Sequence, residues 1–138
     1  MGKVSVIINV TNHIDEILAE RGLLPKPEVR SIAVKDVLVD TGASQLCLPA
    51  DIIEKLGVPF LEEIKAKTAV GSRNVRLFKD VSLEVKGRVG RYNCIELPEG
   101  SQPLLGFLPL EDLGLEPDLV NQELRVLPKH GDESYVML

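Results

Sequence analysis

The sequence has no tryptophan, and aromatic residues make up only 4 % of it. Any core built from this chain must therefore be aliphatic. Histidine is nearly absent too: His13 and His130 stand near opposite ends. With no HExxH or CxxC spacing, the expected metal complement is none. A Ser-His-Asp or Cys-His arrangement would need one of those two histidines, and both lie in polar, loop-like stretches. Cys47 and Cys94 are the two cysteines. They read as buried thiols of a reducing compartment and not as a disulfide framework. No dense block of Lys or Arg occurs, and the formal net charge is -5, which argues against a nucleic-acid partner. Arg73, Arg76, Lys79, Lys86, Arg88 and Arg91 recur at strand spacing and read as a solvated face. No glycine-rich phosphate loop follows a strand; Gly87 and Gly90 read as a hairpin turn, and no cofactor is expected. Long apolar runs are missing as well. "VSVIINV" is too short for a membrane span and is interrupted by Asn9. Val6 stands where an N-myristoylation signal wants Ser or Thr. The expectation is a cytoplasmic protein with no membrane partner.

What is present is an ordinary globular balance, 44 % hydrophobic and 27 % charged, over 138 residues, a length that suits one domain. Short apolar runs are punctuated by Gly, Pro, Asn and Asp, so the domain should be mostly β. "KVSVIINV" alternates as a strand. "VRSIAVKDVLVD" reads as a long strand bulged near Lys35 and Asp36, and "QLCLP" as a short one. "PADIIEKLG" predicts a short helix, with Pro49 at its start, Ile52, Ile53 and Leu56 on one face, and Gly57 as the stop. Between the first two strands, "NHIDEILAERGLLPKPE" is polar and broken by Pro25 and Pro27, which predicts a long loop holding at most a helical turn. Two alternating segments flank "GSRN" and predict a hairpin turning at Gly71 to Asn74. "RVGRYNCIEL" and "PLLG" follow as strands, "FLPLEDLGL" as a second short helix, and "ELRVLP" as a last strand.

One residue breaks this pattern. In "VLVDTGAS" an apolar strand runs directly into Asp40, and a charge there is costly to bury unless it is paired or useful. Gly42 allows a tight turn after it, and Thr41 supplies a hydroxyl that can lock the turn. A turn-capping role would also account for Asp40. As chemistry, the carboxylate needs a partner: two carboxylates held close share one proton, one acting as base on water and the other as acid toward a carbonyl oxygen. Aspartic proteases are the general example of that pairing.

The stretch "LVDTGAS" resembles the active-site signature of retropepsin-like aspartic proteases. "PLLGFLPLEDLGL" resembles the family's second landmark, an apolar-apolar-Gly followed by a short helix, here Leu104, Leu105 and Gly106. The hairpin near Gly71 falls where the family places its flap, which assigns Val70, Gly71, Ser72 and Arg73 to that flap. "VTN" followed by a polar insertion is more similar to small bacterial or archaeal members than to viral ones. The resemblance implies a closed, barrel-like, mainly β fold with one or two short helices and one lobe per chain. The single domain would span residues 1–138, with a core of about 30–127, a loop insertion at 11–29 and a C-terminal tail at 128–138.

The chain carries a single Asp-Thr-Gly and is too short for two lobes, so a dyad requires two chains. The resemblance implies a C2 homodimer, an aspartic endopeptidase whose two Asp40 carboxylates activate water between them. Thr41 would reach the partner's backbone, Gly42 and Ala43 would complete the active-site loop, and an extended peptide would be the substrate. Its pH optimum would be acidic to near neutral. Leu38, Val70, Leu104 and Leu105 are expected as core or subsite residues. Viral members commonly carry Arg after the landmark glycine and Asp shortly after the signature. Here those places hold Phe107 and Ser44, so both charges are missing together and neither is orphaned. "SYVML" in the tail is a candidate for pairing between subunits. The rival reading is a non-catalytic dimeric module that binds a peptide in the same cleft.

Overall fold

The computed structural model describes residues 3–128. Alternation builds the first strand, β1 (Ser5–Asn12): Val6, Ile8, Val10 and Asn12 point into the core and their neighbours point out. It is followed by α1 (His13–Glu20), a 3-10 turn at Lys26–Glu28, β2 (Ser31–Val39), β3 (Leu46–Pro49) and α2 (Ala50–Leu56). Then come β4 (Phe60–Thr68), β5 (Gly71–Val85), β6 (Arg88–Leu97), β7 (Leu104–Leu105), α3 (Phe107–Leu113), β8 (Leu115–Asp118) and β9 (Glu123–Val126).

The fold is mainly β, as expected. Six strands pair in the order β1-β2-β7-β3-β6-β5, and β5 returns to β1 through Asn9–Asn12 against Val81–Glu84, which closes a ring. β4 lies outside the ring and pairs with β5 alone, as the outer arm of a hairpin. β8 and β9 form a separate two-stranded sheet. Inside the ring the packing is aliphatic: Ile8, Val10, Leu46, Leu48, Leu83 and Leu105 are fully buried, and among the described residues Phe78 is the one buried aromatic ring. Two bulges let strands that must curve keep their apolar faces inward. One lies in β2, where Asp36 has φ 54°; the other lies in β5, where Asp80 has φ 62°.

Among the described residues, three α-helices replace the one or two expected. The difference is α1, which occupies the predicted loop insertion. Asn12 accounts for it. Its side-chain oxygen accepts from Asp15 N (3.0 Å) and caps the helix, while its side-chain amide donates to Leu56 O (2.9 Å) and ties α1 to α2. Asp15, itself buried, takes three hydrogen bonds from Arg30, through its backbone N, Nε and Nη2 (3.0, 2.8 and 3.0 Å). That pair closes the insertion across 15 residues and draws the carboxyl of Asp15 below its usual range. β8 also lies where no strand was expected; it carries Pro117, which an edge strand of a two-stranded sheet tolerates.

Arg88 departs from its expected place on a solvated face. Its guanidinium donates to the carbonyls of Leu113 (2.7 Å), Gly114 (3.1 Å) and Leu127, fastening the end of α3 and the β8–β9 ribbon to β6. Gly87 (φ 80°) does sit in the β5–β6 turn beside Lys86 (φ 51°), but Gly90 lies within β6. Among the described residues, no helix is long and apolar enough to cross a membrane. His130 and the "SYVML" segment lie outside the described residues.

Candidate active site

The two strands that frame Asp40 are held by a third. β7 lies between β2 and β3, parallel to β2 (Leu38 opposite Leu104, Val39 opposite Leu105) and antiparallel to β3 (Cys47 opposite Leu104). This short inserted strand is what the sequence read as "PLLG". It extends the sheet past the end of β2, so Asp40 N still donates to Leu105 O (3.0 Å). The chain then turns: Ala43 N donates to Asp40 O (3.1 Å), and Gly42 N donates to Asp40 Oδ1 (2.9 Å). The carboxylate is thereby oriented by a backbone N–H, an Asx-type turn that matches the turn-capping role. A side chain at Gly42 would start 3.1 Å from that same carboxylate oxygen, so glycine there leaves Asp40 its room.

Gly106 locks the loop from the other side. A Cβ on it would meet backbone only, closest to Gln45 O and then 2.6 Å from Gln45 N and 2.7 Å from Ala43 O. The first two residues of α3 complete the join, Phe107 N donating to Ala43 O (2.8 Å) and Leu108 N to Ser44 O (2.9 Å). The two sequence landmarks, Asp40 to Ala43 and Leu104 to Gly106, are thus brought into direct contact. Asp40 is half-buried, whereas Thr41, Gly42 and Ser44 are exposed. Among the described residues, the Thr41 hydroxyl makes no hydrogen bond. Beneath the loop lies Cys47, buried, its thiol pushed up to about 11 by burial and, second, by the Asp40 carboxylate. Leu105 is core; Leu38 and Leu104 are half-buried. A cavity of about 370 Å³ opens beside the loop, lined by Gln45, Leu46, Tyr92, Asn93, Leu108 and Pro109 among others; Asp40 does not line it.

The hairpin expected near Gly71 is present, but its turn is shifted. Thr68 pairs with Gly71, which leaves Ala69 and Val70 as a two-residue connection. The Thr68 hydroxyl donates to Gly71 O (2.7 Å) and accepts from Val70 N (3.3 Å), closing the turn before "GSRN" is reached; Gly71 (φ 125°) supplies the backbone conformation a side chain would resist. Val70 is therefore the tip, 98 % exposed, while Ser72 and Arg73 lie on the β5 arm opposite Lys67 and Ala66. The tip, Ala69 and Val70, is apolar. Arg76 anchors the base of the hairpin. Its guanidinium lies over Phe60 (5.3 Å) and Phe78 (5.0 Å) and 3.7 Å from Glu96. Sequence reasoning missed this cluster, although Phe60, Arg76 and Phe78 in so aromatic-poor a chain were the available signal.

A closed ring of strands, a loop carrying Asp-Thr-Gly, a glycine landmark packed on that loop and a projecting hairpin define the retropepsin-type aspartic-protease fold. The comparison with protein families agrees: the model described as "gag-polyprotein putative aspartyl protease" matches residues 33–112, from β2 through α3, more than half of the chain. The chain belongs to that family, whose membership suggests protease function. No curated protein matches the chain.

Proposed function

We propose that this chain is an aspartic endopeptidase that acts as a homodimer, with Asp40 from each copy forming the catalytic pair. The observation that carries this reading is the setting of Asp40. Its carboxylate is half-buried, one oxygen is oriented by Gly42 N, and the loop around it is rigid on the inside and exposed on the outside. On a two-fold axis, each carboxylate would meet its mate, and like charges at that distance share one proton. The ionised member takes a proton from water as the water oxygen bonds to the peptide carbonyl carbon. The protonated member gives its proton to the carbonyl oxygen. Collapse of the tetrahedral intermediate breaks the C–N bond: the carboxyl that took the proton from water gives it to the leaving nitrogen, the other carboxylate takes a proton from a hydroxyl of the intermediate, and the pair again holds one shared proton.

The remaining site residues take supporting roles. Thr41, exposed and without a hydrogen bond among the described residues, reaches the partner's backbone. Ala43 and the Leu104–Gly106 strand hold the loop in register. Val70 and Gly71 at the hairpin tip, with Ser72 and Arg73 on its arm, lie over an extended peptide and add to it as a strand. The test is cleavage of an unstructured protein such as casein from pH 4 to 8 by wild type and by Asp40→Asn, each checked for dimer by sedimentation. Cleavage that is lost in a folded, dimeric Asp40→Asn supports the reading. A well-formed wild-type dimer that cleaves no casein and binds no statine-type inhibitor contradicts it and favours a peptide-binding module.

A further inference from the structure

A second set of polar groups stands outside the Asp40 site. The cavity of about 370 Å³ beside the loop has the size of a small-molecule pocket, roughly 300–1,000 Å³ in general. Its buried lining residues, Leu46 and Pro109, are apolar, and Leu108 and the ring of half-buried Tyr92 extend that apolar wall. Its less buried lining carries one cation, Arg91, and one carboxylate, Asp80. The bulge in β5 supplies Asp80: between the pairs Phe78–Cys94 and Val81–Tyr92, β5 has one residue more than β6, and Asp80 adopts φ 62° there. Arg91 and Asp80 line the same cavity, yet among the described residues no ion pair joins them to each other or to any other group. Arg91 Nε donates to His13 Nδ1 (3.5 Å), while its two Nη groups and the Asp80 carboxylate make no hydrogen bond among the described residues.

We infer that this cavity is a second binding site, for a small zwitterion with an apolar side chain: an α-amino acid or a short peptide. The free Nη groups of Arg91 match a carboxylate, which they can take in the two-pronged geometry of a guanidinium. Asp80 accepts from the ammonium. The apolar side chain lies against Leu46, Leu108 and Pro109, where burial favours it. The two charges also select against other ligands. A plain anion, phosphate included, would face Asp80, and a plain cation would face Arg91, whereas a molecule carrying both charges meets a partner at each end. The side-chain amides of Gln45 and Asn93 line the same cavity and serve the lone pairs and protons left over. The site is separate from the proposed catalytic one, because Asp40 does not line it. It does adjoin the residues that brace the Asp40 loop: Leu108 N donates to Ser44 O (2.9 Å), and Gln45 follows Ser44 in the chain.

The experiment is titration of the full chain with L-leucine, leucyl-leucine, N-acetyl-L-leucine and L-leucinamide, followed by calorimetry and by protein NMR shifts. The variants are Arg91→Gln and Asp80→Asn, with Lys35→Gln, an exposed cation on β2, as the control. Asparagine tolerates the left-handed backbone at position 80, and melting checks that each variant is folded. L-leucine or leucyl-leucine is expected to bind with a Kd of about 1 mM or tighter, and whichever binds more tightly identifies the source as amino acid or peptide. Blocking either end, as in N-acetyl-L-leucine or L-leucinamide, should weaken binding ~10-fold or more, as should either cavity variant. Each variant should also lose its effect on the ligand that lacks the matching charge: Arg91→Gln on L-leucinamide, Asp80→Asn on N-acetyl-L-leucine. Lys35→Gln should bind like wild type. Asp40→Asn should bind like wild type too, so this result and the cleavage result are independent. No binding of either zwitterion at ~10 mM overturns the inference. So does binding that the end-blocked ligands match, or that a folded Arg91→Gln or Asp80→Asn retains in full.

Discussion

Adding one methyl group at Gly106 should disturb both the stability and the site. The new Cβ would lie closest to Gln45 O, 2.6 Å from Gln45 N and 2.7 Å from Ala43 O. Ordinary carbon contacts are roughly 3.5–4.0 Å, so three backbone groups must retreat by most of an ångström. No flexible side chain is available to yield. Overpacking of this kind costs about 1–3 kcal/mol. For a domain of this size, about 1 kcal/mol corresponds to roughly 4 °C in Tm, so Gly106→Ala should melt roughly 4–12 °C below wild type. The groups that must move belong to the loop that positions Asp40, whose own N–H is bonded to Leu105, the residue before the glycine. A misplacement on the order of 1 Å costs about 10²-fold in rate, so cleavage should fall by about that factor in protein that is still folded and dimeric. Calorimetry and casein cleavage on one preparation measure both effects. Gly22→Ala is the comparison: φ there is +73° but nothing lies within 4 Å, so it reports backbone strain without a clash, and at a position away from the site. A Gly106→Ala protein that melts within a degree or two of wild type and cleaves normally would refute the reasoning.

Two further expectations come from buried groups. Asp15→Asn removes the charge that takes three hydrogen bonds from Arg30, and with Arg30 half exposed the loss should be about 1–2 kcal/mol by urea denaturation at pH 7. Because the folded state holds the Asp15 carboxyl below its usual range, the advantage of wild type is present above the ordinary carboxylate pKa and is lost as pH falls through the lower folded value. The gap between the two proteins should therefore be full above about pH 5 and shrink in more acidic solution; an unchanged gap at pH 2 would contradict the assignment. Cys47, pushed up to about 11, and Cys94, raised by burial, should resist a thiol reagent at pH 8 until the protein is unfolded, when both react. Rapid labelling of either one in the native protein would show that the thiols are not sealed as described.

Much of the ring was legible because its signals are local. β1 and β6 follow from period-two alternation, β3 from a short apolar run, α2 and α3 from an early proline and a glycine stop, and the bulge in β2 from two polar residues inside an apolar strand. The approach of the two landmark segments was legible only through family resemblance; the sheet order that inserts β7 between β2 and β3 leaves no mark on either segment alone. The misplaced features depend on partners distant in sequence or on one side chain. α1 needs Asn12 to cap it and Arg30 to hold Asp15, while Pro25 and Pro27 nearby suggest a loop. The hairpin turns early because the Thr68 hydroxyl closes it, which outweighs the turn-like look of "GSRN". Arg88 looks solvated by spacing and is instead committed to three carbonyls on another part of the chain.

The central claim is that catalysis needs one Asp40 from each of two chains, and a mixing experiment addresses it most directly. Wild type and Asp40→Asn are combined at fixed total concentration, allowed to exchange subunits, and assayed for cleavage as the wild-type fraction is lowered. A shared pair makes every mixed dimer inactive, so activity should follow the square of the wild-type fraction, about a quarter of the full value in an equal mixture. Activity that instead falls in simple proportion, to about half in that mixture, would mean that each chain works alone and would contradict the account.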